Sequence, residues 1–384
     1  MTSKERVLTV LNGQIPDRVP WGEHAIDYNI YEMFLNRTSW VHAKFRETKG
    51  YWEGRNKEIA KSYMNDIVDL TLALDMDIVT VPFLPSPDYH PMPMEQTGSD
   101  EYRDENGYRY KVSSVTGDLL QIPINTAYFK EELVYDQVCE RVDELKRLPP
   151  LSTNVDIPEY AAVNYAVEKL GKTHFLIAPV DGIEWPRFGT TEEDSWANLL
   201  MYPEISEKIA EYIYYRTVRE LDRIAATGVD GVLSVGDLGS SHTMSASPKL
   251  YRQITLPYHK MLYEECKKRG LYVMRHCCGY IWPIIGEIAE YNDAYESIQE
   301  SAGMDILKLK EAVGDRIVLW GGVQHEHIHG GTPEQVYEDA KRAILGAGKN
   351  GGLILGSSHS LTVGVTKENV LSMKKALDDF GKYN

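Results

Sequence analysis

The chain has 384 residues, 43% of them hydrophobic, which is enough for one large barrel or two ordinary domains. Its 57 acidic and 41 basic residues give a net charge of -16, which disfavours nucleic acid and anionic membrane surfaces as partners. The sequence shows neither an apolar run of membrane-spanning length nor an amino-terminal signal, so we expect a cytoplasmic protein.

The first 81 residues are predicted to be helices around two short strands. Residues 5–13 have helical spacing and a glycine stop, and residues 19–23 form an extended segment after them. Residues 28–75 are mostly helical. The β-branched run at 77–81, closed by a proline, predicts the second strand.

A small β-insertion is predicted at about 84–125. The pair Asn106-Gly107 favours the tight turn that joins two antiparallel strands, so we expect a β-hairpin beside the main body and not a separate domain. Helices are predicted around 129–146 and 157–170.

A regular alternation of strands and helices follows and decides the predicted fold. Apolar strands are predicted at 174–180, 229–235, 271–276, 294–299, 316–320 and 352–355. Amphipathic stretches separate them at 205–227, 248–269, 284–291, 306–313 and 332–345. With the two earlier strands this makes about eight β/α units, so we predict a (β/α)8 TIM-like barrel in which residues 1–384 form a single domain.

Polar residues follow the predicted strands at their carboxyl ends, where such barrels carry their catalytic groups. We expect them to converge on one mouth. They are Glu23, His24, Asp181, Glu184, Asp237, His276, Cys278, Gln299, Glu300, Gln324, His325, Ser357, Ser358 and His359.

His276 and Cys278 predict a metal site. They lie two residues apart at a strand end, so their side chains point the same way and can reach one zinc ion, whereas Cys277 points to the opposite face and should be buried. The best-placed third ligand is His359, which would leave the fourth position open for water or substrate, as in catalytic zinc sites. Asp237 and Glu300 are reserve ligands or partners that orient an imidazole.

Each of these residues has a simpler interpretation as well. His276 and Cys278 could line the barrel without a metal. Residues 324–329, which include Gln324 and three histidines at alternate positions, suit either a polar loop that enters a helix or a substrate-facing segment. The side chains that could line a substrate pocket, or be ordinary loop residues, are Glu23, His24, Glu184 and Trp185.

The sequence resembles the uroporphyrinogen decarboxylase superfamily and, within it, the zinc-dependent corrinoid methyltransferases. The resemblance covers nearly the whole chain, in segments 6–20, 228–240, 247–258, 276–279, 314–336 and 351–370. It implies a TIM-like barrel. In the methyltransferase branch a His-x-Cys pair and a distant cysteine hold zinc, which binds a thiol such as coenzyme M. Here His276 and Cys278 match the pair, and His359 stands at the distant position.

The resemblance implies methyl transfer between a small substrate and the cobalt of a separate corrinoid-binding protein, since the chain shows no second domain for cobalamin. A histidine in place of the cysteine leaves the zinc more electrophilic, which favours demethylation of a methoxylated compound, aromatic ones included. Asp237 or Glu300 would position the substrate or act as general acid. A homodimer is the assembly we consider.

Three alternatives stay open at this point. The first is a methylcorrinoid:thiol methyltransferase of the coenzyme M type. The second is a metal-free decarboxylase or lyase with Asp237 as its acid, although decarboxylases of the family use an arginine-rich amino-terminal segment and this region offers Arg18 but no arginine cluster. The third is a non-catalytic barrel that binds a corrinoid partner.

Overall fold

Eight parallel strands form the body of the protein in the computed structural model, which describes residues 1–122, 131–189 and 191–383. In chain order the strands of the main sheet are β1 (Gly22–Glu23), β2 (Ile78–Thr80), β7 (Phe175–Asp181), β8 (Gly231–Val235), β9 (Tyr272–His276), β10 (Ala294–Glu296), β11 (Val318–Val323) and β12 (Leu353–Ser357). Each pairs in parallel with the next, in the order β1-β2-β7-β8-β9-β10-β11-β12.

The sheet closes on itself between its first and last strands. A parallel bridge joins Trp21 to Leu355, and the backbone N–H of Leu355 donates to the carbonyl of Pro20 at 2.8 Å. The indole of Trp320 donates to the carbonyl of Gly22 across the same seam at 2.8 Å. The predicted (β/α)8 barrel is therefore confirmed.

Helices surround the barrel, and the first of them closes its amino-terminal end. The helices are α1 (Ser3–Leu11), α2 (Tyr28–Leu35), α3 (Phe45–Trp52), α4 (Asn56–Leu74), α5 (Glu131–Arg147), α6 (Ala161–Leu170), α7 (Glu192–Met201), α8 (Pro203–Thr227), α9 (Pro248–Leu250), α10 (Leu256–Lys268), α11 (Ile285–Glu290), α12 (Ile306–Val313), α13 (His325–Gly330), α14 (Pro333–Gly346) and α15 (Lys367–Phe380). A π-helical turn, Tyr251–Thr255, joins α9 to α10. Within the described residues, every helix is too short or too polar to span a lipid bilayer.

Two buried clusters build the core. Inside the barrel, inward-facing side chains of the strands such as Phe175, Leu233 and Trp320 pack with Val7 and Val10 of α1. The larger cluster fills the space between the strands and the outer helices. The apolar layers fill the lower barrel, so polar side chains at its centre are confined to the carboxyl ends of the strands.

The predicted insertion is larger than one hairpin. It is a four-stranded antiparallel sheet of β3 (Glu95–Gln96), β4 (Glu101–Arg103), β5 (Arg109–Val112) and β6 (Leu119–Gln121), with the predicted turn between β4 and β5. It packs on the barrel through Tyr102, whose ring meets Phe45 and Trp52. Residues 123–125 of the predicted insertion, and 129–130 of the helix predicted after it, lie outside the described residues.

Two predicted elements differ in the structure. The strand predicted at 294–299 ends at Glu296, because Ser297 adopts a left-handed backbone with φ of 70° and turns the chain away. The segment 324–329 is mostly helical, since α13 begins at His325. Both differences lie at the mouth, where tertiary contacts override local preference.

Candidate metal centre and its surroundings

Three donor atoms converge at the mouth, where β8 and β9 end. The Nε2 atom of His276 lies 3.5 Å from the Sγ atom of Cys278 and 3.7 Å from the Oδ1 atom of Asp237. All three donors lie within 4.8 Å of one another. Asp237 follows β8, while His276 ends β9, so the loops after two neighbouring strands bring the three residues together.

The spacing of these donors fits a tetrahedral metal ion. Zinc–ligand bonds of about 2.0–2.3 Å at tetrahedral angles place neighbouring ligand atoms roughly 3.3–3.8 Å apart. Both measured separations from His276 Nε2 fall in that range. One imidazole, one thiolate and one carboxylate are a donor set that suits zinc and leaves a fourth position free. Half of the Asp237 side chain is exposed, at 51%, so this open side faces solvent.

A buried carboxylate orients the histidine of this set. The Oε2 atom of Glu296 lies 2.5 Å from Nδ1 of His276, and its Oε1 atom lies 3.0 Å from Nδ1 of His24. Despite its burial, two adjacent histidines lower the pKa of the Glu296 carboxyl to about 2. The carboxylate accepts the Nδ1–H of His276, and Nε2 is the ring atom that faces the other two donors.

His24, His276 and Glu296 form a second, fully buried group of close donors. The 2.5 Å separation between His276 Nδ1 and Glu296 is a hydrogen-bond distance and is too short for two ligands of one ion. We therefore take this group as the hydrogen-bonded support of the centre. The ring of His24 stacks 4.3 Å from that of His276, and its Nε2 atom lies 3.0 Å from the hydroxyl of Ser360.

A buried arginine holds the loops around the centre. Arg275 is 1% exposed and donates to the carbonyls of Gly182 and Gly236, each at 2.6 Å, and to the hydroxyl of Ser234 at 3.1 Å. A Cβ atom on Gly182 would lie 2.4 Å from the guanidinium, so only glycine fits there. Arg275 thus ties the loop before Asp237 to the strand that carries His276.

Two residues with positive φ lie beside the centre. Ser297 has a φ of 70°, and its hydroxyl lies 3.0 Å from the thiol of Cys278 and donates to the carbonyl of Ser358 at 2.8 Å. Ile183, a buried β-branched residue after β7, has a φ of 54°. Such backbone strain persists where the surrounding structure enforces it, and it clusters at functional sites.

The structure brings Asp237, and not His359, close to His276 and Cys278. His359 is in neither group of close donors. Its Nδ1 atom accepts the N–H of Ser360 at 2.8 Å, and its ring packs 5.0 Å from that of His325. Burial and the nearby His325 and His24 lower the pKa of its imidazole to about 4. The turn after β12 therefore directs His359 toward α13, and the reserve ligand Asp237 completes the set.

Glu300 also stays outside the two donor groups. It lies in the 3-10 turn after β10, where it forms an ion pair with Arg342 at 2.5 Å. Its carboxylate is used to join this turn to α14, so the structure supports a packing role for it.

The residues predicted to face substrate occupy different environments. Gln324 donates from its side chain to Asp339 of α14 at 3.2 Å. Trp185 is buried, and its indole donates to the carbonyl of Leu238 at 3.1 Å. Glu184 is exposed beside Asp237, and partial burial of its carboxyl raises its pKa.

Glu23 and His24 line a cavity at the mouth, as their position after β1 predicts. Glu23 is buried and accepts hydrogen bonds from the indole of Trp21 at 3.1 Å and from the hydroxyl of Ser357 at 2.6 Å. Burial raises the pKa of this carboxyl to about 7.

Cys277 lies on the opposite face of the chain from Cys278, as strand alternation predicts. Its side chain is 0% exposed and its Sγ atom accepts the N–H of Leu238 at 3.3 Å. Burial raises the pKa of this thiol to about 12, so it stays protonated and packs in the core.

Glu296 is a residue of the candidate site to which the sequence analysis assigns no role. It was included in a predicted strand without a role. The signal was present, because Glu296 follows Ala294 on the inward face of an otherwise apolar strand and pairs in register with His276. A carboxylate at such a position needs a partner, and the neighbouring strand end offers a histidine.

Comparisons with known proteins agree with this architecture. A methyltransferase from Methanosarcina mazei has a TM-score of 0.65 at 18% identity, with 99% of each chain covered. D-psicose 3-epimerase from Clostridium cellulolyticum H10 has a TM-score of only 0.34 at 13% identity over 65% of this chain and 93% of its own. No curated protein matches the chain in sequence.

The family assignment comes from the part of the chain that holds the donor set. The family model described as uroporphyrinogen decarboxylase (URO-D) matches residues 187–380, half of the chain. This range includes Asp237, His276, Cys278 and Glu296 together with strands β8 to β12. The chain therefore belongs to the uroporphyrinogen decarboxylase (URO-D) family.

Proposed function

We propose that this protein is a zinc-dependent methyltransferase of the corrinoid type, which takes a methyl group from a small methoxylated substrate, aromatic ones included. A separate corrinoid-binding protein would present its cobalt over the barrel mouth. The observation that carries the proposal is the spacing of Asp237, His276 and Cys278, at 3.5 and 3.7 Å, around a position that is open to solvent.

Asp237, His276 and Cys278 would hold the zinc. The metal would supply Lewis-acid polarisation of the substrate oxygen, and the corrinoid the centre that accepts the methyl group. Glu296 keeps the Nδ1 proton on His276, so that Nε2 is free to bind. Arg275 fixes the Gly236 carbonyl next to Asp237. Because the Asp237 side is open to solvent, water can supply the proton that the departing oxygen needs.

The proposed domain organisation follows from the sheet. One closed barrel uses strands from Gly22 to Ser357, so we propose that residues 1–384 act as a single domain with an insertion at 84–125. The insertion contacts α3 at the rim, where Phe45 meets Tyr102.

Metal content and methyl transfer test the proposal together. We expect about one zinc per chain in the purified protein, and methylation of cob(I)alamin when a methoxylated arene is added. Cys278→Ser should lose both. Cys139→Ser, at a cysteine of α5 outside the donor groups, is the matched control and should keep both.

Three results would contradict the proposal. Absence of zinc with persistent decarboxylation of a carboxylated substrate would favour the metal-free decarboxylase. Zinc binding with methyl transfer to 2-mercaptoethanesulfonate, and none from methoxylated compounds, would favour the thiol methyltransferase. Binding of a corrinoid protein without any turnover, unchanged in Cys278→Ser, would indicate a non-catalytic barrel.

A further inference from the structure

A partly open cavity lies beside the donor set, on the side of the mouth formed by β1, β2, β7 and β8. Its volume is about 240 Å³. Most of its wall is apolar and comes from Ile26, Tyr31, Val79, Pro179, Leu233 and Val235. Ligand pockets for drug-sized molecules measure about 300–1,000 Å³, so this cavity suits a smaller molecule, about one substituted ring.

The cavity adjoins the proposed metal centre directly. Val235 in its wall pairs in register with His276 on the neighbouring strand. His24, also in the wall, stacks its ring 4.3 Å from that of His276. A molecule in the cavity therefore lies next to the residues that would hold the metal.

The titratable groups Glu23, His24 and His42 that border the cavity are already partnered. Glu23 is bound by Trp21 and Ser357, and His24 lies 3.0 Å from Glu296. The third is His42, whose Nδ1 atom lies 3.0 Å from the carbonyl of Ile26; burial lowers the pKa of its imidazole.

The described residues that line the cavity include no lysine or arginine. A neighbouring hollow of about 390 Å³ shares Ala25 and His42 with the cavity and contains Lys44. That lysine is already paired with Asp27 at 3.2 Å and Asp118 at 3.5 Å. A carboxylate or sulfonate that entered the cavity would thus lose its water without gaining a free cation.

We infer that this cavity is the binding pocket for the methyl donor and that it selects an uncharged, mainly apolar molecule of about one ring. The inference rests on the proposed function for the identity of the site. An anion finds no free cation among the described lining residues. An organic cation finds no free carboxylate there, since Glu23 is already bound by Trp21 and Ser357.

Three probes of nearly equal shape test the inference. They are 4-methoxytoluene, 4-methoxybenzoate and 4-methoxybenzylamine, which are neutral, anionic and cationic at pH 7. Their affinities for the zinc-loaded full-length protein would be measured by calorimetry without corrinoid. We expect the neutral probe to bind at least about tenfold more tightly than either charged probe. Equal or tighter binding of a charged probe would overturn the inference.

A charge placed in the wall sharpens the test. Val235 is 39% exposed, so a lysine there can keep its charge in contact with water. Val235→Lys should raise the affinity for 4-methoxybenzoate at least about fivefold and weaken that for 4-methoxytoluene. Val115→Lys, at a 77% exposed position of the insertion, is the matched control and should change neither. Unchanged affinities for both probes in Val235→Lys, in protein that still holds zinc, would contradict the location of the pocket. If Val235→Lys does not fold, the order of the three probes on the wild-type protein decides alone.

The two proposals fail in different ways. Preferential binding of the neutral probe in a protein that transfers no methyl group would leave the pocket in place and remove the proposed reaction. Methyl transfer from 4-methoxybenzoate with an affinity equal to that of the neutral probe would keep the reaction and remove the charge selection.

Discussion

The two ends of the barrel both contain charged groups, but they use them differently. At the amino-terminal end, Asp77 is 0% exposed and lies 2.6 Å from Arg6, 2.7 Å from Arg18 and 2.8 Å from the backbone N–H of Trp21. Asp77 thus neutralises both arginines. At the carboxyl-terminal end, the donors of Asp237, His276 and Cys278 face a common space.

This difference separates stability from function in one fold. A buried ion pair whose members satisfy each other needs no ligand, and it joins α1 and the first two strands. Donor atoms that converge on one space repel one another, and a cation that binds between them removes this repulsion. The ion pairs of Asp77 therefore stabilise one end of the barrel, while the donors at the other end face a space where a cation could bind.

The largest expected effect is at the mouth. His276→Ala removes the central donor, so zinc content should fall from about one equivalent to near none, and methyl transfer should disappear with it. Metal analysis after dialysis measures the first and a cob(I)alamin absorbance assay the second. His90→Ala, at an exposed position after β2, is the control; zinc retained in His276→Ala would show that the donor set is wrong.

The next largest expected effect is on stability, at the amino-terminal end of the barrel. Asp77→Asn leaves two guanidinium groups without their shared carboxylate, so the free energy of unfolding should fall by about 3–5 kcal/mol. Zinc content should be unchanged. Urea denaturation measures the loss, and Asp75→Asn, whose side chain is 67% exposed, should cost less than about 1 kcal/mol. Loss of zinc in Asp77→Asn would mean that the two ends are coupled.

A pH dependence follows from Glu23. Burial raises its pKa from 4.5 to about 7 in the folded protein, so the folded state holds a proton that the unfolded state releases between these values. This contribution to stability is complete below pH 4.5 and is lost as the pH rises through 7, up to about 3 kcal/mol. Compared with the wild type, Glu23→Gln should therefore lose less stability between pH 5 and pH 8 in urea titrations. Equal slopes would show that Glu23 is ionised throughout.

The smallest expected effect concerns the orientation of His276. Glu296→Gln keeps the shape but cannot hold the Nδ1 proton as strongly, so zinc affinity should fall by about 10- to 100-fold. Competition with a chelator measures this affinity. Glu290→Gln, which removes one carboxylate at an exposed position at the end of α11, serves as the charge-matched control. An unchanged affinity in Glu296→Gln would assign the carboxylate to packing alone.

The alternation of strands and helices was sufficient to predict the barrel, since each β/α unit is recognisable from local periodicity. Strand alternation also distinguished Cys278 from Cys277, which the structure places in the core. Strand ends were predicted less well. Ser297 takes a conformation that its own preferences disfavour, so no local pattern could have ended the strand at Glu296.

The third ligand and the substrate pocket required the folded chain. His359 and Asp237 both follow strands, and sequence alone ranked His359 first. The direction of each side chain is set by tertiary hydrogen bonds, such as Ser360 N–H to His359 and Cys278 N–H to Asp237. The spacing of residues along the sequence does not predict these contacts.

The sequence by itself determined that this chain forms a (β/α)8 barrel with polar residues gathered at one end, because periodicity and strand-end position are local properties. Only the tertiary structure decided which of those residues share one space, because that depends on side-chain directions from several strands. It brought Asp237, and not His359, close to His276 and Cys278, and it placed Glu296 behind His276. It also placed an apolar cavity next to the donors, formed by residues from 23 to 235.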